Sequence, residues 1–286
     1  MENLPRIAFF GTPDIGVYVL DTLKAHGILP SCIITNPDAP QGRKMLLTPS
    51  PVAEWGDAHG ITVHKPTSLK DVSIYETLKN SGCKLFIVAA YGKMIPQAIL
   101  DIPKHKTINI HPSLLPILRG PSPIRTAILE DRNPTGVSIM VLTAGMDEGP
   151  IIAQEEVFIP IEHWPMRGTL LDEILAQKGA ELLIKVLPDW INGTLKAREQ
   201  EHQKATYSKK ITKDMGEIDF TENPYTNLLK IRALDGSPGT FYFHKKNDKR
   251  IRVKILDAEY KNGSLTITRV IPEGKKEMGY EDFIRG

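Results

Sequence analysis

Apolar positions along the first 190 residues follow two rhythms. Short, nearly continuous apolar runs read as strands buried on both faces, and stretches with apolar residues three and four apart read as helices. Residues 6–10, 31–35 and 84–90 belong to the first kind, and the last of these, apolar after Lys84, suits a sheet centre. Val17, Val19, Leu20 and Leu23 define one apolar helical face. Leu170, Leu171, Ile174, Leu175, Leu182 and Leu183 define another, over residues 168–186. Between the first strand and the first helix, Gly11-Thr12-Pro13-Asp14 makes a turn, with Thr12 expected as the N-cap and Pro13 at the first helical position. Strands alternating with helices predict an α/β fold whose sheet is mostly parallel and covered on both faces.

The pattern changes after Asn192-Gly193. Residues 196–214 are polar and read as a connector, residues 223–234 as a short helix. Residues 240–243, 250–256 and 264–271 alternate as half-exposed antiparallel strands do. The expected organisation is a catalytic domain over 1–190, a linker over 191–215 and a small β domain over 216–286. No internal repeat or low-complexity tract interrupts it.

Composition narrows the class only modestly. At 286 residues the chain can hold one large core and a smaller unit. No apolar run approaches the roughly 18 residues that a membrane span needs. The first residues carry no signal-peptide pattern, so a cytoplasmic location is expected, with Cys32 and Cys83 as reduced core thiols. Charge adds more. The net charge is +2, yet from residue 190 onward 19 Lys and Arg stand against 14 Asp and Glu. A basic C-terminal region on a mildly acidic body suits a polyanionic substrate, although a solvated surface would have the same count.

The candidate chemistry lies where two predicted strands end. Residues 107–111 read as a strand running into Pro112, and two apart on it Asn109 and His111 share one face. Residues 136–142 read as a second strand, with Asp147 in the loop after it. An amide beside an imidazole suits a reaction in which negative charge builds on a carbonyl oxygen while a proton moves, and a carboxylate can orient the imidazole. No Ser or Cys sits in a nucleophile elbow, which favours direct acyl transfer to an amine over an acyl-enzyme. One His and one Asp are too few for a metal site. Gly11 to Asp14 could cradle a phosphate at a helix start, but the G-x-G-x-x-G spacing of dinucleotide sites is absent. Residues 36–51 read as a long irregular loop with Gly42, Arg43 and Lys44 at its tip and Met45-Leu46-Leu47 behind, a combination suited to the end of a nucleic acid.

Taken together these segments resemble the methionyl-tRNA formyltransferase family almost end to end. The resemblance is carried by Phe10-Gly11-Thr12-Pro13-Asp14, by residues 36–52, and by Ala89-Ala90-Tyr91-Gly92-Lys93-Met94-Ile95-Pro96. It is carried further by Asn109, His111, Ser113-Leu114-Leu115-Pro116, Arg119-Gly120 and Asp147, and by residues 216–220, 231–234 and 272–278. It implies a Rossmann-like formyltransferase sheet followed by an OB-like β domain. It also implies transfer of a formyl group from 10-formyltetrahydrofolate to methionyl-initiator-tRNA for translation initiation, without a metal, by a monomer. On that basis Asn109, His111 and Asp147 are catalytic. Tyr91, Gly92, Ile95, Ser113, Leu114, Leu115 and Pro116 line the folate side, and Gly42, Arg43 and Lys44 meet the tRNA. Two departures stand out. Pro112 occupies a position where the family usually has Gly, as in relatives that formylate glycinamide ribonucleotide or amino sugars. The segment between Asp257 and Ile271 is short for a full barrel, so the C-terminal domain is expected to be truncated, with three strands and weak, salt-sensitive contacts from Lys245, Lys246, Arg250 and Arg252.

Overall fold

A computed structural model of the chain describes residues 4–42, 45–246 and 249–285. In chain order the first elements are β1 (Ile7–Gly11), α1 (Asp14–Ala25), β2 (Cys32–Ile34), β3 (Ala39–Gln41), β4 (Leu46–Thr48), α2 (Pro51–Ala58) and β5 (Thr62–His64). There follow α3 (Val72–Asn80), β6 (Leu85–Ala89), α4 (Gln97–Leu100), β7 (Thr107–His111), α5 (Pro123–Leu129), β8 (Thr135–Val141) and β9 (Ile151–Val157). The last are α6 (Gly168–Ile191), α7 (Pro224–Ala233), β10 (Thr240–Lys246), β11 (Lys249–Lys261), β12 (Ser264–Pro272), β13 (Met278–Gly279) and α8 (Tyr280–Arg285).

The first seven-stranded sheet has the order β5-β2-β1-β6-β7-β8-β9. Its pairs from β5 to β7 are parallel, and β7 pairs antiparallel with β8. Strands β1 and β6 are buried along their whole length, as their unbroken apolar runs require. Around Phe10 the packing is aromatic: Phe86 lies 5.4 Å away between ring centroids and Tyr91 meets it edge-on at 5.6 Å. Such contacts contribute about 0.5–1.5 kcal/mol each beyond the area they bury. The chain winds from β1 toward β2 on one side and returns to β6 on the other, so the order reverses between β1 and β6. Gly11 and Ala89 are paired there, at the carboxyl ends where open α/β sheets form their ligand crevice.

Local departures from the sequence reading have physical reasons. Pro13, not Thr12, is the N-cap of α1, and it caps with no side-chain hydrogen bond. The Thr12 hydroxyl instead donates to the Tyr91 carbonyl at 3.2 Å, tying the turn after β1 to the turn after β6. Helix α6 runs past residue 186 to Ile191, because Leu187 continues its buried face. The segment expected as an irregular loop holds an antiparallel hairpin, Ala39 opposite Thr48 and Gln41 opposite Leu46. Gly42 takes φ 68 at its turn, where an added Cβ would meet nothing but would strain the backbone.

Two compact units emerge, and they cut across the expected linear division. The first contains Met1–Arg119, Gly136–Val157 and Glu173–Tyr207; the second contains Gly120–Thr135, Phe158–Asp172 and Ser208–Gly286. Residues 191–207 therefore belong to the first unit, and α5 groups with the C-terminal strands. In the second unit an antiparallel sheet has the order β10-β11-β12-β13. Val253, Ile255, Ala258, Ile267 and Val270 from its strands pack with Ile218, Ile231 of α7 and Phe283 of α8. Asp257 anchors this unit with two ion pairs, to Arg167 at 2.6 Å and to Arg232 at 2.9 Å. Four strands are present where three were expected, because the two-residue β13 and the short α8 carry too little pattern to read from sequence.

Candidate active site

Strand β7 delivers Asn109 and His111 to one face at the carboxyl end of the first sheet, opposite Met140 and Ser138 of β8. Both are buried, His111 at 4% exposure. The imidazole is fixed at one nitrogen: His111 Nε2 lies 3.1 Å from the Leu118 carbonyl oxygen. A carbonyl only accepts, so Nε2 carries a proton and Nδ1 is the nitrogen left for chemistry. Nδ1 faces the Asp147 carboxylate at 3.7 Å. That separation is too long for a direct hydrogen bond, but it sets the carboxylate facing the free side of the ring. The site therefore contains an amide, an imidazole whose Nδ1 is open to a ligand, and a carboxylate facing it.

Unusual backbone conformations gather in the loops around these groups. Ala90 (φ 51), Leu118 (φ 56) and Asp147 (φ 50) are all left-handed without being glycine. Each costs on the order of 1–3 kcal/mol, and such conformations persist only when surrounding contacts over-determine them. Two hydrogen-bond networks hold the loops near His111 and Asp147. In one, the Ser138 hydroxyl donates to the Ser113 carbonyl at 2.6 Å and accepts from the Leu115 amide at 3.0 Å and from Gln154 Nε2 at 2.8 Å. Gln154 also donates to the Leu115 carbonyl, and Arg198 donates to Gln154. In the other, Arg119, 2% exposed, donates through Nε and Nη2 to Gln200 Oε1 at 3.0 and 2.7 Å. The Gln200 amide nitrogen donates in turn to the carbonyls of Asp147 and Gly149 at 2.9 and 2.7 Å.

The remaining residues expected at the site divide into two groups. Tyr91, Ile95, Ser113 and Leu115 are buried, with Tyr91 and Ile95 in the core around Phe86 and Leu115 packed on Met140 and Ile151. The Ser113 hydroxyl is spent on the Ile117 carbonyl at 2.6 Å. Gly92 is exposed at φ 79, while Leu114 and Pro116 are half-buried. On the hairpin, Met45, Leu46 and Leu47 are 67%, 64% and 73% exposed, and Gly42 is exposed beside them. Arg43 and Lys44 lie outside the described residues.

Sequence reasoning missed Gln200, Thr206 and Arg198, which fell in the polar connector. That connector is held to the site by backbone as well: Arg198 and Ile151 exchange two hydrogen bonds at 2.8 Å, Arg119 N donates to Thr206 O, and Leu118 N donates to the Thr206 hydroxyl. One signal could have found it. Arg119-Gly120 follows the Ser-Leu-Leu-Pro run directly, and an Arg at a buried turn requires acceptors from elsewhere in the chain.

The mostly parallel sheet brings His111 and Asp147 together beyond β7, and comparison with known proteins shows the class of enzyme. The Formyl transferase family signature matches residues 5–187. The chain is 42% identical to the methionyl-tRNA formyltransferase of Chloroflexus aggregans over 86% of this chain and 79% of that protein. It is 36% identical to the methionyl-tRNA formyltransferase of Thermus thermophilus over 98% of this chain and 96% of that protein. The same fold occurs in the tetrahydrofolic acid complex of HypX from Aquifex aeolicus, at a TM-score of 0.68 and 16% identity, over 99% of this chain and 47% of that one. The chain belongs to the formyl transferase family, among the methionyl-tRNA formyltransferases.

Proposed function

We propose that this protein transfers the formyl group of 10-formyltetrahydrofolate to the α-amine of methionyl-initiator-tRNA, preparing it for translation initiation. The observation that carries the reading is the pairing of His111 Nδ1 with Asp147 beside Asn109 at the carboxyl ends of the sheet. The folate supplies an activated formyl carbon and a leaving nitrogen, N10. The neutral amine attacks that carbon, and a carbon–nitrogen bond forms as the carbonyl π pair moves onto oxygen. Asn109 and protonated His111 donate to this oxyanion, where charge develops and where fixed donors are worth most. Asp147 orients His111. As the carbon–N10 bond breaks, the proton lost by the amine passes through the His111–Asp147 pair to N10, so that tetrahydrofolate and the formylated amine leave together.

In this reading Tyr91, Gly92, Ile95, Ser113, Leu114, Leu115 and Pro116 line the folate side. Gly42, Arg43 and Lys44 meet the acceptor end of the tRNA, with Met45, Leu46 and Leu47 against its bases. Catalysis is assigned to 1–190 and a supporting role in RNA binding to 216–286, in a cytoplasmic monomer. The exposed apolar shoulder behind a basic tip supports an RNA acceptor over a small amine, for which such a hairpin has no evident use.

The test measures formyl transfer from 10-formyltetrahydrofolate to methionyl-tRNA, free methionine, a small amino sugar and water in parallel. Transfer to the charged tRNA is expected to dominate. Asn109→Ala is expected to lower turnover by about 10²–10³, the effect of losing one oxyanion donor, while folate binding stays near normal. Transfer mainly to a small amine, or near-normal turnover by Asn109→Ala, would refute the assignment.

A further inference from the structure

We infer that Gln200 is a positioning residue for catalysis: through one amide it holds the two loops that set the His111–Asp147 geometry. The inference deepens the proposed function and rests on it for the identity of the reaction.

Gln200 is 5% exposed in a stretch whose immediate neighbours, Glu199 and Glu201, are exposed. Its two polar atoms face opposite loops. Oε1 accepts twice from Arg119, and Arg119 directly follows Leu118, whose carbonyl fixes His111 Nε2. Nε2 donates to the carbonyls of Asp147 and Gly149, on either side of Glu148 in the loop that carries the acid. An amide uses both donors and its acceptor here, and no other natural side chain of this shape has donors at one end and an acceptor at the other.

Each loop is also held at a backbone conformation that it would not keep alone. Leu118 and Asp147 are both left-handed, and Gly149 is so close to β8 that an added Cβ would lie 2.0 Å from the Val141 carbonyl. The Leu118 side is further bound to the same segment by the Thr206 hydroxyl and carbonyl. Displacing either loop changes the distance from His111 Nδ1 to Asp147. The reaction depends on that distance, whereas binding of the RNA at the hairpin does not.

Ordinary structural importance is separated from this role by the exchange Gln200→Glu. The carboxylate keeps an acceptor for Arg119 and makes it a charge-assisted one, so the buried guanidinium stays satisfied. It removes both donors, however, and sets an anionic oxygen against the carbonyls of Asp147 and Gly149. If Gln200 only satisfies Arg119, the variant is as active as the parent. If it positions Asp147, the variant fails in chemistry while remaining folded.

The experiment uses the full chain as parent, Gln200→Glu and Gln200→Ala, with methionyl-tRNA and 10-formyltetrahydrofolate. Both variants are expected to lose on the order of 10² in kcat with KM for the tRNA little changed, the usual consequence of a misplaced catalytic group. In parallel, the ring nitrogens of ¹⁵N-labelled His111 report on the geometry without any turnover. The parent is expected to show the Nε2–H form, with a changed Nδ1 signal in both variants. Parental kcat in Gln200→Glu, or a His111 signal identical in all three proteins, would overturn the inference. A parent that transfers no formyl group to methionyl-tRNA would instead count against the proposed function, and the ring signal would still decide the role of Gln200.

Discussion

At the scale of single residues, Tyr91 separates what a side chain does from what its backbone does. Its carbonyl accepts from Thr12 and from Asn36 at 3.2 Å each, which joins the turns after β1, β2 and β6. Its hydroxyl is buried without a hydrogen-bond partner among the described residues, and burial pushes the phenol from 10.0 up to about 12. A group whose folded value is raised contributes stability below its unfolded value and loses it as pH climbs through the folded one. Part of the stability is therefore expected to vanish between pH 10 and pH 12, and Tyr91→Phe should lack that decline. At neutral pH the variant should be equally stable or more so by about 1 kcal/mol, since an unpaired buried hydroxyl is removed. Thermal unfolding across pH checks both points; a large fall in folate affinity would show that the hydroxyl serves the ligand. Asn109, His111 and Asp147 drew attention as candidates because each lies on or just after a strand within recognisable local context. Gln200 was not, because one buried amide in a polar stretch disturbs neither periodicity nor composition.

Among elements, the β3–β4 hairpin shows how a short strand hides. Its strands have three residues each, and Pro40 sits within one of them, a position tolerated only at an edge. Pattern reading reports a loop for such a segment, and the hairpin holds Met45, Leu46 and Leu47 exposed because it is a two-stranded ribbon with no core of its own. Replacing Leu46 and Leu47 together by Ser is expected to change stability by no more than about 0.5 kcal/mol each, as for other exposed sites. The same variant should raise KM for methionyl-tRNA and leave folate binding intact. Unchanged KM would mean that the hairpin's apolar surface takes no part in RNA binding. The core elements were easier to read: β7 keeps its expected limits, while β1, β6 and α6 differ from theirs at the ends, where apolar pattern and hydrogen bonding part company.

At the scale of the whole molecule, contacts group segments that lie apart in sequence. Composition suggested a division into 1–190, 191–215 and 216–286, whereas the second compact unit collects α5 and residues 158–172 from the interior of the chain. Composition is averaged along sequence and cannot report that a segment returns. Within this unit α5 is held by α7 and its neighbours: Arg125 pairs with Asp172 at 2.6 Å, and the Tyr225 hydroxyl donates to Asp131 at 3.0 Å. A chain ended after Tyr207 would leave Ile124, Ala127 and Ile128, all buried here, without partners from that unit. It is expected to expose apolar surface and to aggregate or unfold well below the intact chain. Dye binding and thermal unfolding measure this, and an unchanged melting temperature would show that the first unit needs nothing from residues 208–286.

The segment that closes the two catalytic loops has a further consequence, in time. Asp147 and Gln200 are 53 residues apart, which at cellular translation speeds of roughly 5–20 residues per second is an interval of about 3–10 s. During that interval the emerging chain already carries Asn109, His111 and Asp147 but not the amide that sets them. On the proposed reading, synthesis thus delivers the candidate reacting groups first and the amide that aligns them afterwards.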